Sequence, residues 1–228
     1  EEMPDIITCR RFSLNDAAPL AEHLMDLSTS EVAGTFYSSY LEVNRETGGA
    51  IRWLPMCAEA DGYIANLDLF EQYDIPLPTN YAEFAEACRR FEELGINGYV
   101  NDYDEDYSCM EALQGCAIPE LMTMEGMLWR GAYESEMPDA PVGLDKQVWP
   151  RVFEKFQQYL LDTRTEPPDA DMDYDPMAPD FFAGKTAMIR GTATDCVMFH
   201  QNEGVNCAML PYFGESAEDS WLLTYPHC

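Results

Sequence analysis

Gly62-Tyr63-Ile64-Ala65-Asn66-Leu67-Asp68-Leu69-Phe70 is followed by Ile75-Pro76-Leu77-Pro78-Thr79-Asn80-Tyr81-Ala82-Glu83-Phe84. The reading of this stretch decides the fold. Gly62 to Ala65 reads as a short strand, and a helical piece follows around Asp68 to Tyr73. Pro76 and Pro78 then break the chain. Asn80 is placed to cap the next helix, with Glu83 three residues on to return the hydrogen bond. Phe84, Cys88 and Phe91 form its apolar stripe, and Gly95 supplies the stop.

The same alternation continues on both sides. Toward the start, Ile51 to Leu54 and Ile6 to Cys9 read as strands. Between them, Asp16 caps an expected helix carrying Leu20, Leu24 and Leu27 on one face. Toward the end, Ser108 with Glu111 offers a second capping box ahead of Met110, Leu113 and Ala117. Helices are expected through Met122 to Tyr133, and through Val148, Val152, Phe156 and Leu160. Thr186 to Arg190 and Val205 to Leu210 return to strand character. Such alternation predicts an α/β architecture with mainly parallel strands.

Composition narrows the function classes. Of 228 residues, 46% are hydrophobic and 12% aromatic, enough to bury a substantial core. Thirteen Lys plus Arg against 42 Asp plus Glu give a net charge of −29. Such a field repels phosphate backbones and anionic headgroups, which disfavours nucleic acid and a basic membrane patch. No apolar run reaches the roughly 20 residues of a spanning helix. No leader peptide opens the chain, and both ends read as cut from something longer. Eight cysteines occur without a C-x-x-C pair, so neither a zinc ribbon nor a thioredoxin-type site is indicated. Mostly free, buried thiols are expected, a usage that on its own points to a reducing compartment.

Three stretches together resemble the family-1 extracellular solute-binding proteins, the maltose-binding-protein-like group. The first is Trp53-Leu54-Pro55 followed by the Tyr63 to Phe84 segment, with Tyr81 where the family usually has Trp. The second is Phe182-Ala183-Gly184-Lys185-Thr186-Ala187-Met188-Ile189-Arg190-Gly191. The third runs from Val205 through Met209-Leu210-Pro211 to Gly214 and Trp221, and Pro4-Asp5-Ile6 matches a further family strand. These motifs come in family order. The family's opening strand and helix before Pro4 are absent, as is everything past the return near Cys228. Thr192-Ala193 stands where the family's maltose binder has Pro-Trp, so maltose specificity is not carried over.

The resemblance implies a periplasmic-binding-protein-like, two-lobe (type II) fold with the first lobe incomplete. Residues 1–64 and 206–228 would form that lobe and residues 65–205 the second. It implies a substrate-binding component of an ABC-type importer, holding a sugar or small oligosaccharide between lobes and handing it to permease subunits. It further implies an extracytoplasmic monomer, either periplasmic or a bacterial lipoprotein whose lipid anchor lies outside this chain. No cofactor, metal or catalytic residue is expected.

A sugar offers hydroxyls at its edges and C–H patches on its faces, so its site needs an aromatic platform and fixed polar groups. Arg10 and Arg11 follow the Ile6 strand at its carboxyl end. Trp53 precedes a proline near the crossover. Glu111 and Gln114 share a helix face, and Trp129 and Tyr133 lie one turn apart. Gly191 and Thr192 open a helix whose N–H groups suit a ligand oxygen, while Trp221 and Tyr225 lie on the return to the first lobe.

Other readings carry less. Asp169-x-Asp171-x-Asp173-x-Asp175 looks like a calcium loop, but Tyr174 and Asp180 stand where glycine and glutamate belong, so a solvated acidic loop is expected. A carbohydrate hydrolase using paired carboxylates is the enzyme alternative. With 42 acids, pairs arise by chance, and no nucleophile elbow, zinc helix or phosphate loop occurs. A non-transport interaction module is the third class.

Overall fold

The computed structural model of the chain describes residues 5–6, 23–46, 48–101, 106–134, 142–163 and 177–227. The chain divides into two compact units, Glu1–Glu59 with Thr224–Cys228, and Ala60–Leu223.

In the first unit a 3-10 turn at Ala33–Thr35 leads into helix α1 (Ser38–Val43). Around these the backbone is irregular and held by specific bonds. The Asp26 carboxylate accepts the amides of Ser28 at 2.9 Å and Ile51 at 3.2 Å. The Leu27 amide donates to the Ile51 carbonyl at 2.7 Å, and Arg52 donates to the Leu24 carbonyl at 2.6 Å. Leu24 and Leu27 are therefore not helical, which corrects the expected Leu20–Leu27 helix over its described part. The backbone groups a helix would use are bonded to the Ile51 segment instead. Asp16, Leu20 and residues 7–9 lie outside the described residues. The strand expected at Ile51 to Leu54 reduces to a single bridge between Ile51 and Arg45.

The second unit is built on a mixed sheet. Its elements are β1 (Cys57–Asn66, from Ala60 onward), α2 (Leu67–Gln72), α3 (Tyr81–Glu93), β2 (Asn97–Val100), α4 (Asp106–Leu121), α5 (Met124–Glu134) and α6 (Trp149–Asp162). Then come α7 (Met177–Phe182), β3 (Thr186–Thr192), α8 (Ala193–Met198) and β4 (Cys207–Leu210). Strand order is β2-β3-β1-β4. A last strand, β5 (Leu223–His227), which belongs to the first unit from Thr224 onward, also pairs with β1.

Among the pairs whose register is described, β2 and β3 run parallel, and β1 is antiparallel to both β3 and β4. The expectation of mainly parallel strands is thus corrected. Pairing by crossover helices holds for β2 and β3, which α4 to α7 separate in sequence, whereas β1 carries the chain in and its neighbours run back against it.

The sheet is buried on both faces, which accounts for the unbroken apolar run in β1. Tyr63 and Ala65 face an aromatic layer with Phe84, Tyr99, Tyr159 and Phe213. The Tyr63 and Phe84 rings stack at 4.9 Å, and Tyr99 meets Tyr63 edge-on at 5.3 Å. Ile64 points the other way, into a smaller group with Phe181, Ile189 and Val205.

Helix α3 forms as its residues dictate. Asn80 accepts the Glu83 amide at 3.1 Å, and Phe84, Cys88 and Phe91 are fully buried. Glu83 reaches past the cap to the Thr79 amide at 2.8 Å and hydroxyl at 2.9 Å. Gly95 ends the helix at φ +77°. Gly98 of β2 admits no side chain, since a Cβ there would lie 2.4 Å from the Cys88 Cα. Helix α4 already runs at Asp106, so Ser108 lies inside its first turn and is not the cap. On α6 the buried positions are Val152 and Tyr159, while Leu160 is exposed. Successive steps of four overshoot a 3.6-residue turn by about 40° each, so the stripe returns at Tyr159.

Candidate functional site

The side-chain period of two places Asp61, Tyr63 and Ala65 of β1 on one face with Met188 and Arg190 of β3. Where the aromatic layer ends along this face, a buried charge cluster begins. Arg190 has a side chain only 8% exposed, and Asp61 one only 2% exposed. The Arg190 Nη2 donates to Asp61 Oδ2, and Nη1 meets the Glu111 carboxylate on α4 at 2.6 Å. The Tyr212 hydroxyl donates to the other Asp61 oxygen. One guanidinium thus lies between two carboxylates, leaving the trio one negative charge in excess. The Arg190 Nε is also buried and has no hydrogen-bond partner among the described residues.

Electrostatics follow from this packing. Burial works against the Arg190 charge, but the adjacent Asp61 carboxylate, its hydrogen bond and Glu111 hold the guanidinium pKa above its ordinary value. Burial first, and then the Asp61 charge, push the Tyr212 hydroxyl well up, so it stays protonated and donates.

Three local features fix the geometry. Gly115 lets α4 lie flat on the Tyr212 ring, since a Cβ there would come 2.3 Å from Cδ1. Glu111, one turn earlier on α4, is thereby brought to Arg190. Tyr212 and Trp221 exchange both backbone hydrogen bonds at 2.9 Å, closing the intervening loop and leaving Trp221 39% exposed. Thr192 caps α8 reciprocally: its hydroxyl accepts the Asp195 amide at 3.1 Å and its amide donates to the Asp195 carboxylate at 2.8 Å.

Among the sequence candidates, Glu111 is ion-paired with Arg190, Thr192 stands opposite Asp61 in the strand register, and Trp221 is bonded through its backbone to Tyr212, whereas Gly191 faces the Ile64 side of the sheet. Gln114 is exposed on α4 beside Gly115. The Thr192 amide, expected to be open to a ligand, is taken by Asp195. The tightness of a capping box explains this, because the acid three residues on reaches the first amide before any ligand. Trp129 and Tyr133 belong to a separate packing group. They stack on each other at 5.3 Å, and Trp129 meets Trp149 of α6 edge-on at 5.2 Å. Trp129 is buried and Tyr133 is 62% exposed. Trp53 is buried in the first unit. Arg10, Arg11 and the acidic stretch Asp169 to Asp175 lie outside the described residues, as does the Tyr225 side chain.

Sequence reading passed over Asp61, Arg190 and Tyr212, which form the centre of the cluster. A signal was present. Arg190 closes the apolar run Ala187-Met188-Ile189, and a charge buried there needs a counterion from a neighbouring strand.

A second charged group lies between α4 and α6. Glu120 meets Arg151 at 2.9 Å and Lys155 at 2.7 Å. A cavity of about 240 Å³ adjoins it, lined by Tyr81, Cys116, Phe213 and Gly214, with Lys155 and Glu215 as charged members. Among the described residues no cluster of His, Cys, Asp and Glu is arranged to hold a metal, and no helix is long and apolar enough to cross a membrane.

No family model and no curated protein matches the chain. Solved structures do. A family 1 extracellular solute-binding protein from Bifidobacterium longum subsp. infantis aligns with a TM-score of 0.72 at 14% identity, over 96% of this chain and 56% of that one. RafE in complex with raffinose aligns at 0.71 and 14%, over 93% and 55%. A sugar transporter from Bacillus licheniformis in complex with stachyose aligns at 0.68 and 12%, over 92% and 55%. The chain has the fold of these solute-binding proteins and spans about half their length.

Proposed function

We propose that this chain forms part of the substrate-binding component of an ABC-type importer, and that it captures a sugar or small oligosaccharide. The observation that carries the reading is the buried Asp61–Arg190–Glu111 cluster, linked through Tyr212 to the backbone of the half-open Trp221, on a fold whose similar structures hold raffinose and stachyose. Glu111, 26% exposed at its side chain, supplies a carboxylate acceptor for sugar hydroxyls. Charge-assisted bonds of this kind are the stronger sort. The Trp221 ring offers a face for sugar C–H groups. Trp53 of the first unit and the exposed face of Tyr133 in the second remain candidate platforms, and Gln114, Gly191 and Thr192 candidate polar contacts.

Within this reading the protein works outside the cytoplasm as a monomer, and permease subunits of the importer are its protein partners. Hydrolysis is the less favoured alternative. Both carboxylates of the cluster are committed to one guanidinium, and Asp61 is also bonded by Tyr212. A glycosidase needs two carboxyl groups free to face the scissile bond.

The test is a titration of intrinsic tryptophan fluorescence with raffinose, stachyose, chitin oligosaccharides and simple hexoses. Saturable binding without turnover is expected, weakened at least tenfold by Trp221→Ala and by Glu111→Gln. Wild-type affinity in both variants would remove Trp221 and Glu111 from the site. Release of reducing sugar would favour the hydrolase.

A further inference from the structure

Two sulfurs outside this site lie together. Cys196 on α8 and Cys207 at the start of β4 have Sγ atoms 3.5 Å apart, and the Cys207 thiol also points at the Cys196 carbonyl, 3.4 Å away. Helix α8 leads into a π-turn at Phe199–Glu203 that ends on Gly204 at φ +68°. The chain then returns as β4, which carries Cys207 back under Cys196. Both side chains are half-buried against the apolar group of Phe181, Ile189 and Val205. Of the other described cysteines, Cys88 is sealed in the core of α3, Cys57 is exposed and Cys116 is half-buried on α4.

We propose that Cys196 and Cys207 are a modification site, a dithiol built to close into a disulfide that ties α8 to β4. A disulfide bond is about 2.05 Å long, so closure needs roughly a 1.5 Å approach of the two sulfurs. That motion is within rotation of the side chains, because the backbone already brings the elements together. The chemistry is thiol–disulfide exchange with a small-molecule disulfide. One cysteine thiolate attacks the carrier's S–S bond and releases one carrier thiol. The second cysteine then displaces the other carrier thiol as the protein S–S bond forms. Two electrons pass to the carrier, which takes up the two protons the cysteines lose. Burial, and then the hydrogen bond with Cys196, push the Cys207 thiol up to about 12, which slows exchange at neutral pH, so the oxidation is run at mildly alkaline pH with the carrier disulfide in excess.

The product would fasten the helix whose cap, Thr192, lies two residues after Arg190. It closes a short loop, since the two cysteines are 11 residues apart. In a chain of this size such a closure raises the melting temperature by about 5 °C or more.

The experiment uses the full chain and does not depend on sugar binding. The protein is incubated with oxidised glutathione, alkylated under denaturing conditions and cut after glutamate, which separates the two cysteines at Glu203. The expected result is a Cys196 peptide joined to a Cys207 peptide, two hydrogens lighter than their sum and parted by reductant. Alkylation of both cysteines, or glutathione left on either, would overturn the proposal, as would linkage of either to another cysteine. Thermal melts give the second arm. Reductant should lower the melting temperature of the oxidised wild type and leave Cys196→Ser/Cys207→Ser unmoved. An equal reductant shift in that double variant would also overturn it.

Discussion

Tyr63 and Asp61 stand two residues apart on the same strand and face, yet they anchor regions of opposite character. Tyr63 belongs to an aromatic layer in which rings stack and cross, with centroids 4.9 to 5.7 Å apart. That layer is held by burial, which is strong and nearly indifferent to direction. Asp61 belongs to a charge cluster that is equally dry but depends on geometry, because each buried charge costs several kcal/mol unless its partners are in place. Tyr212 joins the two, its ring 5.1 Å from Tyr63 and its hydroxyl on Asp61. The aromatic layer supplies stability, and the cluster spends part of it to hold polar groups in a fixed geometry.

Several substitutions break or sharpen this contrast. Phe84→Ala, in the middle of the layer, should lower stability by about 3–5 kcal/mol in urea unfolding, with Phe84→Leu costing far less. Arg190→Met should cost about 3–5 kcal/mol as well, because two carboxylates lose their shared cation. The two differ in their pH response: lowering the pH should restore part of the loss in Arg190→Met, by neutralising the stranded acids, and none in Phe84→Ala. An Arg190→Met variant as stable as wild type would show that the Arg190 ion pairs contribute no net stability. Tyr212→Phe keeps the ring and removes only the hydroxyl, so it should cost about 1.5–3 kcal/mol, the range for a hydrogen bond to a charged group.

The smallest effect belongs to the Glu120 group, where similar chemistry is closer to water. Burial works against the Glu120 charge, but Lys155 and Arg151 hold its carboxyl below the ordinary carboxylate range. A depressed folded pKa gives stability that is full above the unfolded value, about 4.3, and fades as pH falls through the folded one. Glu120→Gln should therefore flatten stability against pH only on the acid side, and at neutral pH cost about 1 kcal/mol or less. A larger neutral-pH loss would place Glu120 with Asp61 in the dry class.

Much of the fold was legible in the residues. The Asn80 cap, the Phe84–Cys88–Phe91 stripe, the Gly95 stop and the strands at Tyr63 and Thr186 all form as local physics predicts. The misreadings share a cause. Leu24 and Leu27 have helical spacing, but Asp26 and Ile51 capture their neighbourhood through hydrogen bonds across 25 residues. Glu111 and Trp221 were singled out for chemistry they can perform, yet Arg190, which holds Glu111, was passed over. Its bond to Asp61 spans 129 residues, and no local pattern records such a pairing.

The sequence alone determined the α3 cap, stripe and stop and the strands at Tyr63 and Thr186, because caps, periods and breakers act over a few residues. Only the tertiary structure decided that β1 runs antiparallel to β3 in the register that sets Asp61 opposite Thr192. Strand register is a contact between distant segments, and it is this contact that turns a scattered acid, arginine and tyrosine into one buried cluster.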